Sequence, residues 1–264
     1  MRIRLALAAL MAVLSVPAGV PVAASATPAA VRVVTFNVCG NVCRHGEVSA
    51  TSSNVAYRIR KAGASMVMLQ ELCYSQFLGI QGLLARYGYT AEFAAATRGG
   101  HCDDDDRKHG RAFGIALLTR GTVTGWLFHR LPNPEGDAEE RVVLAARVRL
   151  PGRWILAATT HTSRGGSLPA QLDAIRRWLV PLAANRPLVF GGDLNISPED
   201  PAMDAFYAAF HEANVDRENP MPTFIEPARK IDYLFGSKGY LTPVGVGRSD
   251  TGYSDHDMYI GAFR

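Results

Sequence analysis

Four apolar runs in this 264-residue chain end in residues that can bind a cation or move a proton. Val33-Val34-Thr35-Phe36 leads to Asn37, Val67-Met68-Leu69 to Gln70-Glu71, Leu156 to Thr160 to His161, and Leu188 to Gly192 to Asp193 and Asn195. Two further groups, Ile231-Asp232-Tyr233 and Ser254-Asp255-His256, flank apolar segments near the end of the chain. If folding gathers these ends, one cleft holds Glu71, Asp193, Asp232, Asp255, two histidines and two asparagines. Carboxylates so close cannot all stay ionised without a compensating cation. Their oxygens suit a hard divalent ion, Mg²⁺ first and Mn²⁺ or Ca²⁺ as alternatives, whereas zinc favours thiolates or several imidazoles. Mg²⁺ keeps water and phosphate oxygens among its ligands, which points to a phosphate ester as substrate.

The elements that must position these residues are legible as short apolar stretches rich in β-branched and aromatic residues. Val31 to Phe36, Met66 to Leu69, Phe113 to Leu118, Val142 to Val148, Trp154 to Thr160, Leu188 to Phe190 and Met258 to Phe263 predict strands. Between them Asn54 to Ala62, Gln76 to Arg86, Leu168 to Leu182 and Pro201 to Phe210 carry helical spacing. Ser197 as cap, Pro198 at the first turn and Glu199-Asp200 after it predict a helix starting near Pro198. The class is α/β (α+β).

With 48% hydrophobic and 20% charged residues the chain is neither disordered nor low-complexity. Arg2 and Arg4 precede an apolar segment broken by Ser15, Pro17, Gly19 and Pro21, before Ala24-Ser25-Ala26. That pattern predicts a secretory signal peptide over residues 1–26 and a single domain over 27–264, secreted to the extracellular side. Loss of the two arginines takes the formal charge from +4 to +2, too balanced to argue for a polyanionic partner by itself. The even set Cys39, Cys43, Cys73 and Cys102 then predicts two disulfides. Three pairings exist on paper. Cys39 with Cys43 and Cys73 with Cys102 is favoured because the first pair closes a short Cys-Gly-Asn-Val-Cys loop; a zinc site is the rival, weakened by the lack of CxxC pairs.

In chain order, Thr35-Phe36-Asn37, Leu69-Gln70-Glu71, Thr160-His161-Thr162, Gly192-Asp193-Leu194-Asn195, Ile231-Asp232-Tyr233 and Ser254-Asp255-His256 resemble the motifs of the endonuclease/exonuclease/phosphatase superfamily, the DNase I-like fold. Phe113 to Arg120 resembles the family's GxAILSR strand, Arg141 the arginine opening a central strand, and Thr223-Phe224 the TF before IDY. The resemblance implies a four-layer sandwich, two packed β-sheets flanked by helices, with the active site at one rim. It implies that Glu71 binds the metal with Asn37 and Asp255 completing its shell, that Asp193 and Asn195 orient water and phosphate, and that His256 pairs with Asp232. His161 and His256 would flank the scissile phosphate, with their acid and base roles undivided.

Two departures stand out: Ile115 sits where many members carry a polar residue, and no carboxylate partner for His161 is visible. The Cys39 to Cys43 loop lies outside the family pattern and is expected to brace the rim of the metal site. The other histidines, His45, His101, His109, His129 and His211, read as surface or loop residues. Asp103 to Asp106 reads as a solvated acidic loop, Gly125-Trp126-Leu127-Phe128 as a buried strand, and Arg60-Lys61 and Arg176-Arg177 as isolated basic pairs. The expectation is a secreted phosphoesterase, first a DNase I-like nuclease. The alternatives are a sphingomyelin or phospholipid phosphodiesterase, an inositol-phosphate-type phosphatase, and a non-catalytic binding module. The partners would be nucleic acid or membrane lipid; no protein partner is implied and a monomer is expected.

Overall fold

The computed structural model describes residues 29–103 and 109–264; the expected signal segment 1–26 and Asp104 to Asp106 of the acidic run lie outside the described residues. The chain runs β1 (Val31–Asn37), α1 (Ser49–Ala62), β2 (Met66–Cys73), α2 (Tyr74–Ala85), β3 (Thr90–Arg98), β4 (Ala112–Thr119), β5 (Thr122–Arg130), β6 (Val142–Leu150), β7 (Arg153–His161) and α3 (Leu168–Ala183). It continues through β8 (Leu188–Asp193), α4 (Asp204–Ala209), β9 (Phe210–Glu212), β10 (Asp232–Ser237), β11 (Pro243–Ser249) and β12 (Met258–Phe263).

Two mixed six-stranded sheets form, in the orders β11-β12-β1-β2-β4-β3 and β5-β6-β7-β8-β10-β9. Period-2 alternation sorts their side chains. Val33, Met66, Met68, Ile155, Ala157 and Val189 fill the space between the sheets. Val34, Phe36, Val67 and Leu69 turn outward under α1 and α2, and Leu156, Leu188 and Phe190 turn outward under α3 and α4. Both faces are buried, so these strands read as continuous apolar runs. The result is the expected helix–sheet–sheet–helix sandwich.

Register brings the polar strand ends level. In the first sheet β1 and β2 are parallel and Asn37 pairs with Gln70. In the second, parallel β7 and β8 set His161 beside Asp193, and antiparallel β10 sets Asp232 on the other side of Asp193. A Cβ on Gly192 would lie 2.0 Å from Thr160 O, so only glycine lets β8 close on β7 there.

Two expectations need correction. The helix predicted from Pro198 begins later: Ser197 accepts the Asp200 N–H in a turn, Asp200 caps through Ala202 N at 2.8 Å, and a 3₁₀ turn Pro201–Met203 precedes α4. Both Ser197-Pro198 and Asp200-Pro201 satisfy the capping rule, and the second one is used. Gly125 to Phe128 is a strand, but an exposed edge rather than a buried one, with Leu127 and Phe128 about half exposed and only Trp126 packed on the core.

Candidate active site

Asn37 is the hinge between the sheets. Its Nδ2 donates to Glu71 Oε1 at 3.0 Å and to Asp193 Oδ2 at 3.0 Å, while its Oδ1 accepts the Cys39 N–H at 3.0 Å. The backbone donor settles which amide atom is oxygen. Glu71 lies within an irregularity in the β2–β4 pairing, between Leu69 and Leu72, and has φ +54°; Asn195 has φ +50° and Cys39 φ +48°. Each left-handed non-glycine backbone costs on the order of 1 kcal/mol. All three cluster where side chains must turn out of regular strand geometry.

Asp193 is fully buried. Its Oδ1 accepts the Asn195 N–H at 2.9 Å, and its Oδ2 lies 3.5 Å from His161 Nε2 and 3.6 Å from His256 Nε2. Burial, then the charge of Asp232, lifts its carboxyl to about 7, against the pull of His256 and the Asn37 and Asn195 hydrogen bonds. Glu71 is also raised, chiefly by burial and against the Asn37 hydrogen bond, with Glu139 adding repulsion.

The two histidines have opposite partners. His256 Nδ1 lies 2.9 Å from Asp232 Oδ2, as expected. Burial alone would lower its pKa, but the Asp232 charge and hydrogen bond, followed by Asp193 and Asp255, raise it to about 9. Thr223 Oγ1 accepts the N–H groups of Ile231 and Asp232 at 3.2 and 3.0 Å, and the Phe224 ring meets His256 edge-on, which accounts for the Thr-Phe pair ahead of Asp232. Asp232 Oδ1 and His256 Nε2 are buried without a hydrogen-bond partner among the described residues.

His161 Nδ1 instead lies 2.7 Å from the Arg141 guanidinium, which also pairs with Glu139. A guanidinium only donates, so Nδ1 must accept and the neutral ring carries its proton on Nε2. Burial, then the charges of Arg141, His256 and Arg164, hold His161 well below the ordinary imidazole range. Asn195 is oriented by Arg164 Nε on its Oδ1 at 3.1 Å and by donation to Thr162 O at 2.9 Å, which leaves its Nδ2 beside the His161 Nε2–H, 3.1 Å away. Two donors therefore face one space beside Asp193 and Glu71.

Asp255 stands one step outside. It lines, with Glu71, Glu139, Arg141 and the Cys39–Cys43 loop, an open cavity of about 440 Å³, and its Oδ1 is 3.7 Å from Cys43 Sγ. Cys39–Cys43 and Cys73–Cys102 are bonded as favoured, so no thiolate is left for zinc. The loop of the first disulfide is tied to the site through Gly40 N to Glu71 O at 2.7 Å. Among described His, Cys, Asp and Glu residues, the compact group with free ligand atoms is Asp193, Asp232 and His256.

The Endonuclease/Exonuclease/phosphatase family model matches residues 34–256, a span that contains every residue just described. The chain belongs to this family. Its members are hydrolases of phosphate esters and typically depend on a divalent metal. The fold is similar to that of an endonuclease/exonuclease/phosphatase from Beutenbergia cavernae DSM 12333, with TM-score 0.71 and 23% identity over 89% of this chain and 71% of that one. It is likewise similar to the human Nocturnin catalytic domain with bound sulfate anion, TM-score 0.71 and 20% identity over 89% and 93%. A third likeness is to D. rerio TDP2 complexed with single strand DNA product, TM-score 0.68 and 14% identity over 90% and 100%. No curated protein sequence matches the chain.

Sequence reasoning missed what holds His161. Arg141 was visible only as a strand-opening arginine and Glu139 not at all; both lie in the irregular segment just before β6, where no strand periodicity marks which side chains enter the rim.

Proposed function

We propose that the chain is a secreted, Mg²⁺-dependent phosphodiesterase that cleaves nucleic acid. The observation that carries this reading is Asp193 Oδ2, which sits 3.0 Å from the Asn37 amide and within 3.6 Å of Nε2 of both histidines. One carboxylate so placed can orient a water while donors on either side receive a phosphoryl group. The donor set fits a hard cation: Glu71 and Asp193 share one amide, burial raises both carboxyls, and Asp232 Oδ1 is orphaned. Glu71, with Asp255 lining the same cavity, would hold the ion, which when bound would neutralise charge on the phosphate oxygens. Asn37, expected as a ligand, turns its amide N–H to Glu71 and its Oδ1 to the Cys39 N–H and so positions the carboxylate instead.

The chain's own residues supply the rest. Asp193 and Asn195 orient the attacking water and the phosphate. Asp232 keeps His256 cationic against the charge that builds in the transition state. His161 Nε2–H and the Asn195 amide donate to a phosphoryl oxygen. The single-strand DNA product bound by D. rerio TDP2 supports nucleic acid as substrate, and the signal-like residues 1–26 with two disulfides support secretion. Purified protein with Mg²⁺ should nick supercoiled plasmid, and EDTA or His256→Ala should abolish nicking; intact plasmid with the wild type overturns the nuclease reading.

A second reading has its own observation. Leu127 and Phe128 are 51% and 52% exposed on the β5 edge, where an enzyme acting on phospholipid or sphingomyelin could rest on its substrate. Hydrolysis of sphingomyelin vesicles that is lost in Leu127→Ser/Phe128→Ser, with plasmid left intact, would favour it.

A further inference from the structure

We infer a second, non-catalytic site for a nucleic-acid strand, formed by Arg60, Lys61 and Arg120 around Tyr57, Tyr87 and Tyr89. It lies at the end of the first sheet remote from the catalytic rim. Arg60 and Lys61 close α1, Tyr87 and Tyr89 lead from α2 into β3, and Arg120 follows β4. Register fixes the level: Thr119 pairs with Met66 at the start of β2, and the Arg120 N–H bonds Ser65 O at 3.0 Å, whereas Glu71 stands at the other end of β2. At about 3.3 Å per residue the two sites are roughly 17 Å apart along the strand.

These residues line an open cavity of about 370 Å³ that no carboxylate enters. Arg60 stacks over the Tyr87 ring at 4.0 Å with Arg86 on the same ring at 5.1 Å, and Arg120 lies 5.7 Å from the Tyr89 centroid. All four cations are exposed, and none makes an ion pair among the described residues, although Arg130, Arg141, Arg176, Arg177, Arg217 and Arg248 do. The dipole of α1 accounts for Arg60 and Lys61 but not for Arg120, which arrives on a different element. Tyr89 is buried with its hydroxyl donating to Ala64 O and Tyr87 lies under Arg60, so Tyr57 is the ring open to a base. Cations without acidic partners beside an open aromatic face are the chemistry that holds a phosphate backbone and stacks a base. No aliphatic side chain lines the cavity, which argues against a lipid surface.

The inference rests on the nucleic-acid reading for its ligand, and its test separates the two. Full-length wild type and Arg60→Gln/Lys61→Gln/Arg120→Gln are titrated in EDTA with a fluorescein-labelled 30-nucleotide single strand at several salt concentrations. In parallel both hydrolyse bis(p-nitrophenyl) phosphate with Mg²⁺. The triple variant should bind about tenfold or more weakly, with a salt slope smaller by about 2, since each single-strand phosphate contact contributes about 0.7. Its hydrolysis of the small diester should be unchanged, because that substrate cannot reach both sites. An unchanged Kd and slope, or a wild type that does not bind the strand, overturns the second site. A wild type that hydrolyses no ester overturns the phosphodiesterase reading, while the binding titration still decides the second site.

Discussion

The two halves of the catalytic rim contain the same side chain in opposite company. On the β10–β12 side, His256 leans on a carboxylate, Asp232, and its pKa climbs to about 9. On the β7 side, His161 leans on a guanidinium, Arg141, and its pKa falls well below the ordinary value. Both Nε2 atoms face Asp193 Oδ2, so the difference is created entirely behind the rings. An imidazole's second nitrogen decides whether the first presents a cation or a neutral donor. A pair built this way can set fixed positive charge on one side of a phosphate and a hydrogen-bond donor on the other, without two adjacent imidazolium ions repelling each other.

The largest effect should come from removing the charge behind His256. Asp232→Asn keeps the shape but leaves the ring neutral and its tautomer unfixed, and kcat on the cleaved diester should fall by about 10³-fold, within the range of acid–base and tautomer losses. A loss under tenfold would mean that the pair is structural and the asymmetry idle. Arg141→Met should cost less, about 10- to 100-fold in kcat, because His161 acts as one donor beside Asn195. It should also let the ring switch tautomer, visible as exchange of the His161 Nδ1 and Nε2 nitrogen resonances, and Arg141→Lys should restore the single Nε2–H form. Unmoved resonances in Arg141→Met would break the comparison at its second half.

The strands that place both halves were legible for a physical reason. β1, β2, β7 and β8 are buried on both faces, so their apolar runs are unbroken, and the polar residue ending each run is the one that enters the rim. β3 and β11 were lost because an exposed edge and a glycine-rich strand carry little hydrophobic signal, and β9 is only three residues long. Asn37, Glu71, Asp193, Asn195, Asp232, His161 and His256 were nameable from type and order alone. What faces each atom was not. The Arg141–His161 contact spans 20 residues and the Arg164–Asn195 bond 31, and each depends on sheet register rather than on local spacing. The left-handed turn at Glu71 was equally hidden, since glutamate carries no sequence signal for positive φ.

The smallest effect is the one that reads both rings in one experiment. His256 binds its proton more tightly folded than unfolded, with a pKa of about 9 against 6.5. Its contribution to stability is therefore fully present below pH 6.5 and is lost as pH rises through 9. His161 refuses the proton in the folded state, so its contribution is full above 6.5 and is lost as pH falls below that value. Each slope is at most about 1.4 kcal/mol per pH unit. Urea unfolding in EDTA should thus show the gap between wild type and His256→Gln shrinking from pH 6.5 to 9. The gap between wild type and His161→Gln should instead shrink from pH 6.5 to 5. Two gaps that move in the same direction would mean that Asp232 and Arg141 do not set the rings apart, and the charge asymmetry across Asp193 would go with them.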